Sequence, residues 1–365
     1  MADTETIEQP VGPVNTLLVV DDDVFDRLGS VIRHLCIGMM DEAVNVTVLW
    51  RSKRHTVQET IGPSRVVPLL ATRWPRRQIS EAQLLDLLGG IRPRVMHCLS
   101  ADLARWVRRW ATAWDCTVLV ALTDVRDVEQ FVRAQSADKV IGLATTTRVE
   151  QALMERRPTK RGRIAMMSLG IPGASSPACL TVPERQPTAI VTALMSRDGS
   201  VDLVLKALHL VRKQGLDVDL FVLSAGKGER LLRRQADQLH LRSRVTFAGP
   251  MRDRFSLINA MRSADFYIIP AARRRFRDTT LMAMAAGLAI LAPTGTIEDY
   301  LIDGQTASLF EPYRADDLAR KWAALLEDRA AARQLAHGAL DYVRAHHQAS
   351  KMVDTTAKLY RQFCR

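Results

Sequence analysis

Apolar and polar positions along this chain fall into two alternating patterns. Short β-rich apolar runs, "NTLLVV", "NVTVLW", "RVVPLL", "RVMHCLS" and "TVLVAL", are separated for the most part by stretches of helical periodicity. That alternation predicts a parallel sheet with helices on both faces. It continues through "ADKVIGLA", a helix, and "RIAMMSLGI".

From Pro172 to Pro187 the pattern stops, in a stretch dense in Pro, Ser, Gly and Ala without periodicity, which reads as a linker. Beyond it the alternation restarts with "TAIVTAL", a helix ending at Gly215, then "DVDLFVLS", "RVTFAG", "ADFYIIP", "LAILAP" and "ASLFE". The expectation is an α/β protein of two doubly wound, Rossmann-like domains with ligands in a cleft between them. Its parts are a disordered lead over 1–13, an N-terminal domain over 14–171, a linker over 172–187, a C-terminal domain over 188–348 and a final helix over 349–365. The last helix, "QASKMVDTTAKLYRQF", is expected to return to the N-terminal domain. No internal repeat is visible.

Composition narrows the class. The chain has 365 residues, 47% of them hydrophobic and 25% charged, enough to bury large cores. Five scattered cysteines, none in Cys-x-x-Cys spacing, suggest neither a disulfide framework nor a zinc site, and no metal or cofactor is expected. The acidic, proline-punctuated start does not resemble a signal peptide, and no apolar run approaches the roughly 20 residues of a membrane span. A cytoplasmic location follows as the expectation. The formal charge of +11 favours an anionic partner. Nucleic acid is disfavoured as that partner, because no helix-turn-helix, RRM or OB pattern accompanies the charge. A hydride-transferring enzyme is disfavoured too, because "LLVVDDDVFDRLGS" lacks the G-x-G-x-x-G loop after the first strand.

The line from "DVDLFVLSAGKGERLL" through "RVTFAG" to "ADFYIIP", followed by "AMAAG" and by "TGTIEDYLIDGQTASLF", resembles the donor domain of family 4 glycosyltransferases of the GT-B fold. The likeness covers roughly half the chain and is carried in outline by Gly295, Glu298 and Gly304. The N-terminal half resembles the family through "RPRVMHCLS" and "RIAMMSLGIP". The resemblance implies the GT-B architecture and sugar transfer from a nucleotide-sugar donor, with retention, to an acceptor. It also implies an arginine and a lysine against the donor diphosphate, and two glutamates near the sugar and the ribose. Here those positions hold Ala193, Asp198, Arg274 and Met282, and Thr123 stands where a histidine often precedes an aspartate, here Asp124. So many departures predict impaired or altered catalysis. The alternative is a non-catalytic relative that binds a nucleotide, another anion or a protein partner.

Ligand-binding candidates remain. Gly226 and Gly228 would let a backbone approach a nucleotide, and Asp278, Thr279 and Thr280 lie where a helix begins, offering N–H groups to a phosphate. Arg273, Arg274 and Arg275 are candidates for a substitute phosphate clamp, since guanidinium groups bind phosphate oxygens in a fork. Each has a plain alternative: a strand-to-helix turn, a helix cap, a solvated loop or an Arg274–Asp198 ion pair. His97 and Asp124 are acceptor-side candidates, with a buried structural histidine as the alternative reading of His97. Trp106, Trp110 and Trp114 form one helical stripe flanked by arginines, open to reading as a peripheral membrane contact or as a core face.

Overall fold

A computed structural model describes residues 14–54, 57–70, 79–134, 139–156, 164–172, 179–181, 184–192, 200–223, 226, 228–249, 251 and 254–364. The chain divides into two compact units. One runs to Gly170 and takes back the chain from Ala349, and the other spans Ile171–Gln348.

Among the described residues the first unit has eight strands: β1 (Val14–Asp21), β2 (Val44–Ser52), β3 (Thr60–Ile61), β4 (Ser64–Leu70), β5 (Val95–Cys98), β6 (Thr117–Leu122), β7 (Val140–Ala144) and β8 (Ile164–Met166). Their order across the sheet is β3-β4-β2-β1-β5-β6-β7-β8. Every pairing is parallel except β3 with β4, a two-residue antiparallel edge that the apolar pattern did not foretell. Helix α1 (Asp22–Gly38) starts directly from β1, because Asp21 accepts the Val24 N–H at 2.9 Å and caps the first turn. After α2 (Glu81–Leu87), helices α3 (Ala101–Ala113), α4 (Val125–Ala134) and α5 (Thr147–Arg156) pack in sequence along β5, β6 and β7.

Among the described residues the second unit has six parallel strands: β9 (Thr188–Val191), β10 (Asp219–Val222), β11 (Val245–Phe247), β12 (Phe266–Ile268), β13 (Ala289–Pro293) and β14 (Ser308–Phe310), ordered β11-β10-β9-β12-β13-β14. Its helices are α6 (Ser200–Lys213), α7 (Glu229–Gln238), α8 (Arg254–Arg262), α9 (Asp278–Ala285), α10 (Ala315–Glu327) and α11 (Arg329–His346). One core gathers Val204, Leu208 and Val211 of α6, Leu220 and Val222 of β10, Phe266 and Ile268 of β12, and Trp322 of α10. Burial of such aliphatic and aromatic side chains drives this layer together. The chain entering the unit is stapled to it by Asp265, a fully buried carboxylate that accepts the N–H groups of Leu180 at 2.7 Å and Thr188 at 2.8 Å and a bond from Arg185.

The last helix, α12 (Ala349–Phe363), belongs to the first unit. It packs against α1, where Gly38 leaves room for Val353, and Arg361 binds the carbonyl and carboxylate of Glu42. The C-terminal helix therefore returns to the N-terminal fold, as expected from the sequence. No described helix is long and apolar enough to cross a membrane.

Candidate functional site

In open parallel sheets, ligands bind at the carboxyl ends of the strands, where the strand order reverses direction. In the second unit that point lies between β9 and β12, since the chain runs outward from β9 to β10 and β11 on one side and from β12 to β14 on the other. There the structure gathers a buried polar network.

Tyr267 lies on β12 between Phe266 and Ile268, which face the core, so its ring takes the opposite face. Its hydroxyl meets Thr192 Oγ1 at 2.5 Å, donates to Thr279 at 3.3 Å and accepts from Arg273 Nη2 at 3.3 Å. Arg273 Nη1 donates to Thr280 Oγ1 at 2.9 Å and lies 3.6 Å from Glu298 Oε1. Thr280 in turn donates to Glu298 at 3.4 Å, and Thr296 donates to its other oxygen. Glu298 is wholly buried and Arg273 is only 12% exposed. Burial works against the Arg273 charge, and Tyr267 and Glu298 more than offset it, so its pKa is raised. A buried ion pair is tolerated only when further hydrogen bonds satisfy both groups, as here.

The basic loop is thus divided in its roles. Arg273 points inward, Arg274 and Arg275 are exposed, and Phe276 is fully buried against Tyr300, ring centroids 6.2 Å apart. The Tyr300 hydroxyl is buried without a hydrogen-bond partner among the described residues, and burial raises its pKa well above the usual phenol range. Helix α9 begins after Arg277, which supplies no side-chain cap, and the chain leaves it through Gly287 at φ 73°, the left-handed turn glycine favours. Met282 sits inside α9 at 4% exposure, so it is a core side chain.

Of the sequence candidates, Arg273, Thr279, Thr280 and Glu298 come together, with Arg274 and Arg275 on the same loop. Gly226 is exposed, and Gly228 is buried at the start of α7 with φ −82°. Ala193 and Asp198 lie outside the described residues. Tyr267, Thr192 and Thr296 were not singled out from the sequence. Tyr267 could have been, as a polar side chain inside an apolar strand.

In the first unit the corresponding point lies between β1 and β5. Arg51, from β2, bridges Asp21 at 3.0 Å and Asp102 at 2.8 Å and lies over Trp106 at 5.4 Å. Burial opposes the Arg51 charge, but the bonds it donates to Asp102 and Asp21 prevail and raise its pKa; Asp102 is correspondingly lowered despite its own burial. Asp124 is 4% exposed and accepts the Arg126 N–H at 2.8 Å, at the start of α4. Its neighbour Asp127 accepts the N–H groups of Ala101 and Thr123, each at 3.1 Å, tying α3 and β6 to α4. Burial pushes the Asp127 pKa up.

His97 is fully buried. Its Nδ1 lies 2.7 Å from the Tyr360 hydroxyl of α12, and burial pushes its pKa down to about 3. It takes the place of a structural histidine holding the returning helix. Trp110 and Trp114 are buried, Trp114 donating to Glu81 at 2.6 Å, so those two rings of the stripe face the core while Trp106 is half-buried under Arg51. The exposed face of α3 carries Arg105, Arg108 and Arg109 instead. Among the described residues no cluster of His, Cys, Asp and Glu is arranged to hold a metal ion.

Residues 186–328, less than half of the chain, match the sequence profile of the family described as Glycosyl transferases group 1. No curated protein matches the sequence significantly. The fold is shared with solved glycosyltransferases over nearly the whole chain. A glycosyltransferase from Rickettsia africae ESF-5 is 16% identical with a TM-score of 0.77, covering 97% of this chain and 99% of that one. Sucrose-phosphate synthase from Thermosynechococcus elongatus is 18% identical with a TM-score of 0.74, covering 96% and 98%. The Anabaena protein HepE, solved with UDP-glucose, is 14% identical with a TM-score of 0.73, covering 95% and 99%. At these identities the likeness is one of fold, and the fold is GT-B.

Proposed function

We propose that this chain is a glycosyltransferase-like protein that binds a nucleotide sugar at the β9/β12 crevice of its second unit and transfers the sugar slowly. The observation that carries this reading is the buried Tyr267–Arg273–Thr280–Glu298 network, which lies at the strand-order reversal and within the segment that matches the glycosyltransferase profile. A strand-end crevice with fixed hydrogen-bonding groups suits a polyhydroxylated, anionic ligand. The UDP-glucose found in a protein of the same fold supports the ligand class.

Slow transfer follows from charge. A glycosidic bond to a diphosphate breaks with negative charge building on the leaving group, and preorganised cations are what lower that barrier. On the resemblance drawn from the sequence, the usual cationic positions hold Ala193 and Asp198, and the usual glutamates are Arg274 and Met282. Met282, packed in the core, offers no hydrogen bond to a ribose. That last observation also favours a second reading, a non-catalytic binder of the same ligand.

Thermal-shift and turnover measurements with UDP-, GDP- and ADP-sugars separate these readings. Stabilisation by one nucleotide sugar with slow transfer is the expected result. Stabilisation with no transfer to any acceptor or water selects the binder, and no stabilisation by any of them at millimolar concentration overturns both.

A further inference from the structure

The loops at the carboxyl edge of the second unit are unequally charged. The stretch between β12 and α9 contains Arg273, Arg274, Arg275 and Arg277 and no acidic residue. By contrast, the sequence after β9 contains one arginine and one aspartate, Arg197 and Asp198, that after β10 a single lysine, Lys227, and that after β11 Arg252 and Asp253. The β12–α9 loop therefore carries the densest run of cationic residues at this edge.

Those arginines do not share one environment. Arg273 is turned inward to Tyr267, Thr280 and Glu298, and its carbonyl accepts the Ile297 N–H at 2.8 Å. Phe276, three residues on, is fully buried against Tyr300. Two inward anchors with two residues between them leave Arg274 and Arg275 exposed on a pinned backbone, beside the start of α9. A charge held in place before the ligand arrives costs less ordering entropy on binding than one on a free loop. Two adjacent guanidinium forks suit the oxygens of two linked phosphates, and a helix start adds favourable N–H groups.

We infer that Arg274 and Arg275 are the diphosphate-binding pair of this crevice, that Arg273 and Phe276 are positioning residues for them, and that the ligand is a nucleoside diphosphate or its sugar ester. This rests on the nucleotide-sugar reading above. The inward Arg273 is thereby removed from direct contact with the phosphates, although the sequence grouped it with the other two.

Isothermal titration with UDP, GDP, ADP and inorganic pyrophosphate tests the assignment. Wild type is expected to bind pyrophosphate and at least one nucleotide, more weakly as salt rises, because partly exposed charge pairs are screened over about 8 Å at physiological ionic strength. The exposed double variant Arg274→Gln/Arg275→Gln should melt like wild type, bind about tenfold or more weakly and lose most of the salt dependence. Arg273→Lys keeps the charge but loses the fork; it should weaken binding in the wild-type background and have no further effect in the double variant, as expected of a residue acting through the pair. A double variant that binds as tightly as wild type overturns the inference while leaving the nucleotide reading standing. Wild type that binds neither nucleotide nor pyrophosphate at millimolar concentration overturns both.

Discussion

Arg273 Nη1 and Glu298 Oε1 lie 3.6 Å apart with Thr280 Oγ1 between them, an ion pair buried at the mouth of a parallel sheet. The two residues belong to different loops, and the pair fixes one loop against the other. Removing one member of such a pair leaves an uncompensated buried charge, which typically costs about 3–5 kcal/mol. Glu298→Gln should therefore lower the stability of the second unit by about 3 kcal/mol, and Arg273→Met/Glu298→Gln should restore part of it. Denaturant melts of the four proteins of this cycle give the coupling directly; additive effects would show that the pair is not an energetic unit.

His97 gives the fold a pH dependence of known sign. Its folded pKa of about 3 lies below the ordinary value of 6.5, so the unfolded chain binds the extra proton between these values. The stability contribution is complete above pH 6.5 and is lost as pH falls toward 3, at up to about 1.4 kcal/mol per pH unit. Replacing His97 by Gln should flatten the acid limb of the stability profile, and Tyr360→Phe should loosen α12 by about 1–2 kcal/mol through loss of a buried hydrogen bond. Equal acid limbs in wild type and His97→Gln would contradict the assignment.

How much of this was legible in the sequence depends on the range of the interaction. The strands and helices were readable because their apolar periods are local, whereas the return of α12, expected from the sequence, is set by its long-range packing on α1. The antiparallel β3 escaped notice because two residues carry no period. Arg273 looked like a companion of Arg274 and Arg275 because its partners, Tyr267 and Glu298, are fixed by the fold and not by spacing. Asp127 was overlooked beside Asp124 for a similar reason. Its backbone partner Ala101 lies in another helix.

Asp265 should be among the least replaceable residues in the second unit. Asp265→Ala strands the Leu180 and Thr188 N–H groups and the Arg185 guanidinium, at an expected cost of about 3 kcal/mol or more. Arg185→Ala leaves the buried carboxylate without its cation but still bonded to the Leu180 and Thr188 N–H groups, so it should cost less than Asp265→Ala. Chemical denaturation of both variants checks the ranking.

Gly338 reverses the usual helix rule. A glycine inside a helix normally gains about 1 kcal/mol on replacement by alanine. Here an added Cβ would lie 2.2 Å from the Gln305 carbonyl oxygen, a backbone atom that cannot rotate away. Gly338→Ala should destabilise by about 1–3 kcal/mol, in line with overpacking. A melting temperature at or above wild type would contradict that contact.

The most direct test of where the ligand binds is hydrogen exchange of the full chain with and without a saturating nucleotide sugar. Slowed exchange is predicted at Arg273–Asp278 and Thr296–Leu301, the two loops that the Arg273–Glu298 pair joins, with the α7–β11 turn at Asp237–Ser243 unchanged. Protection confined to other segments, with the 273–278 loop exchanging as in the free protein, would contradict the site.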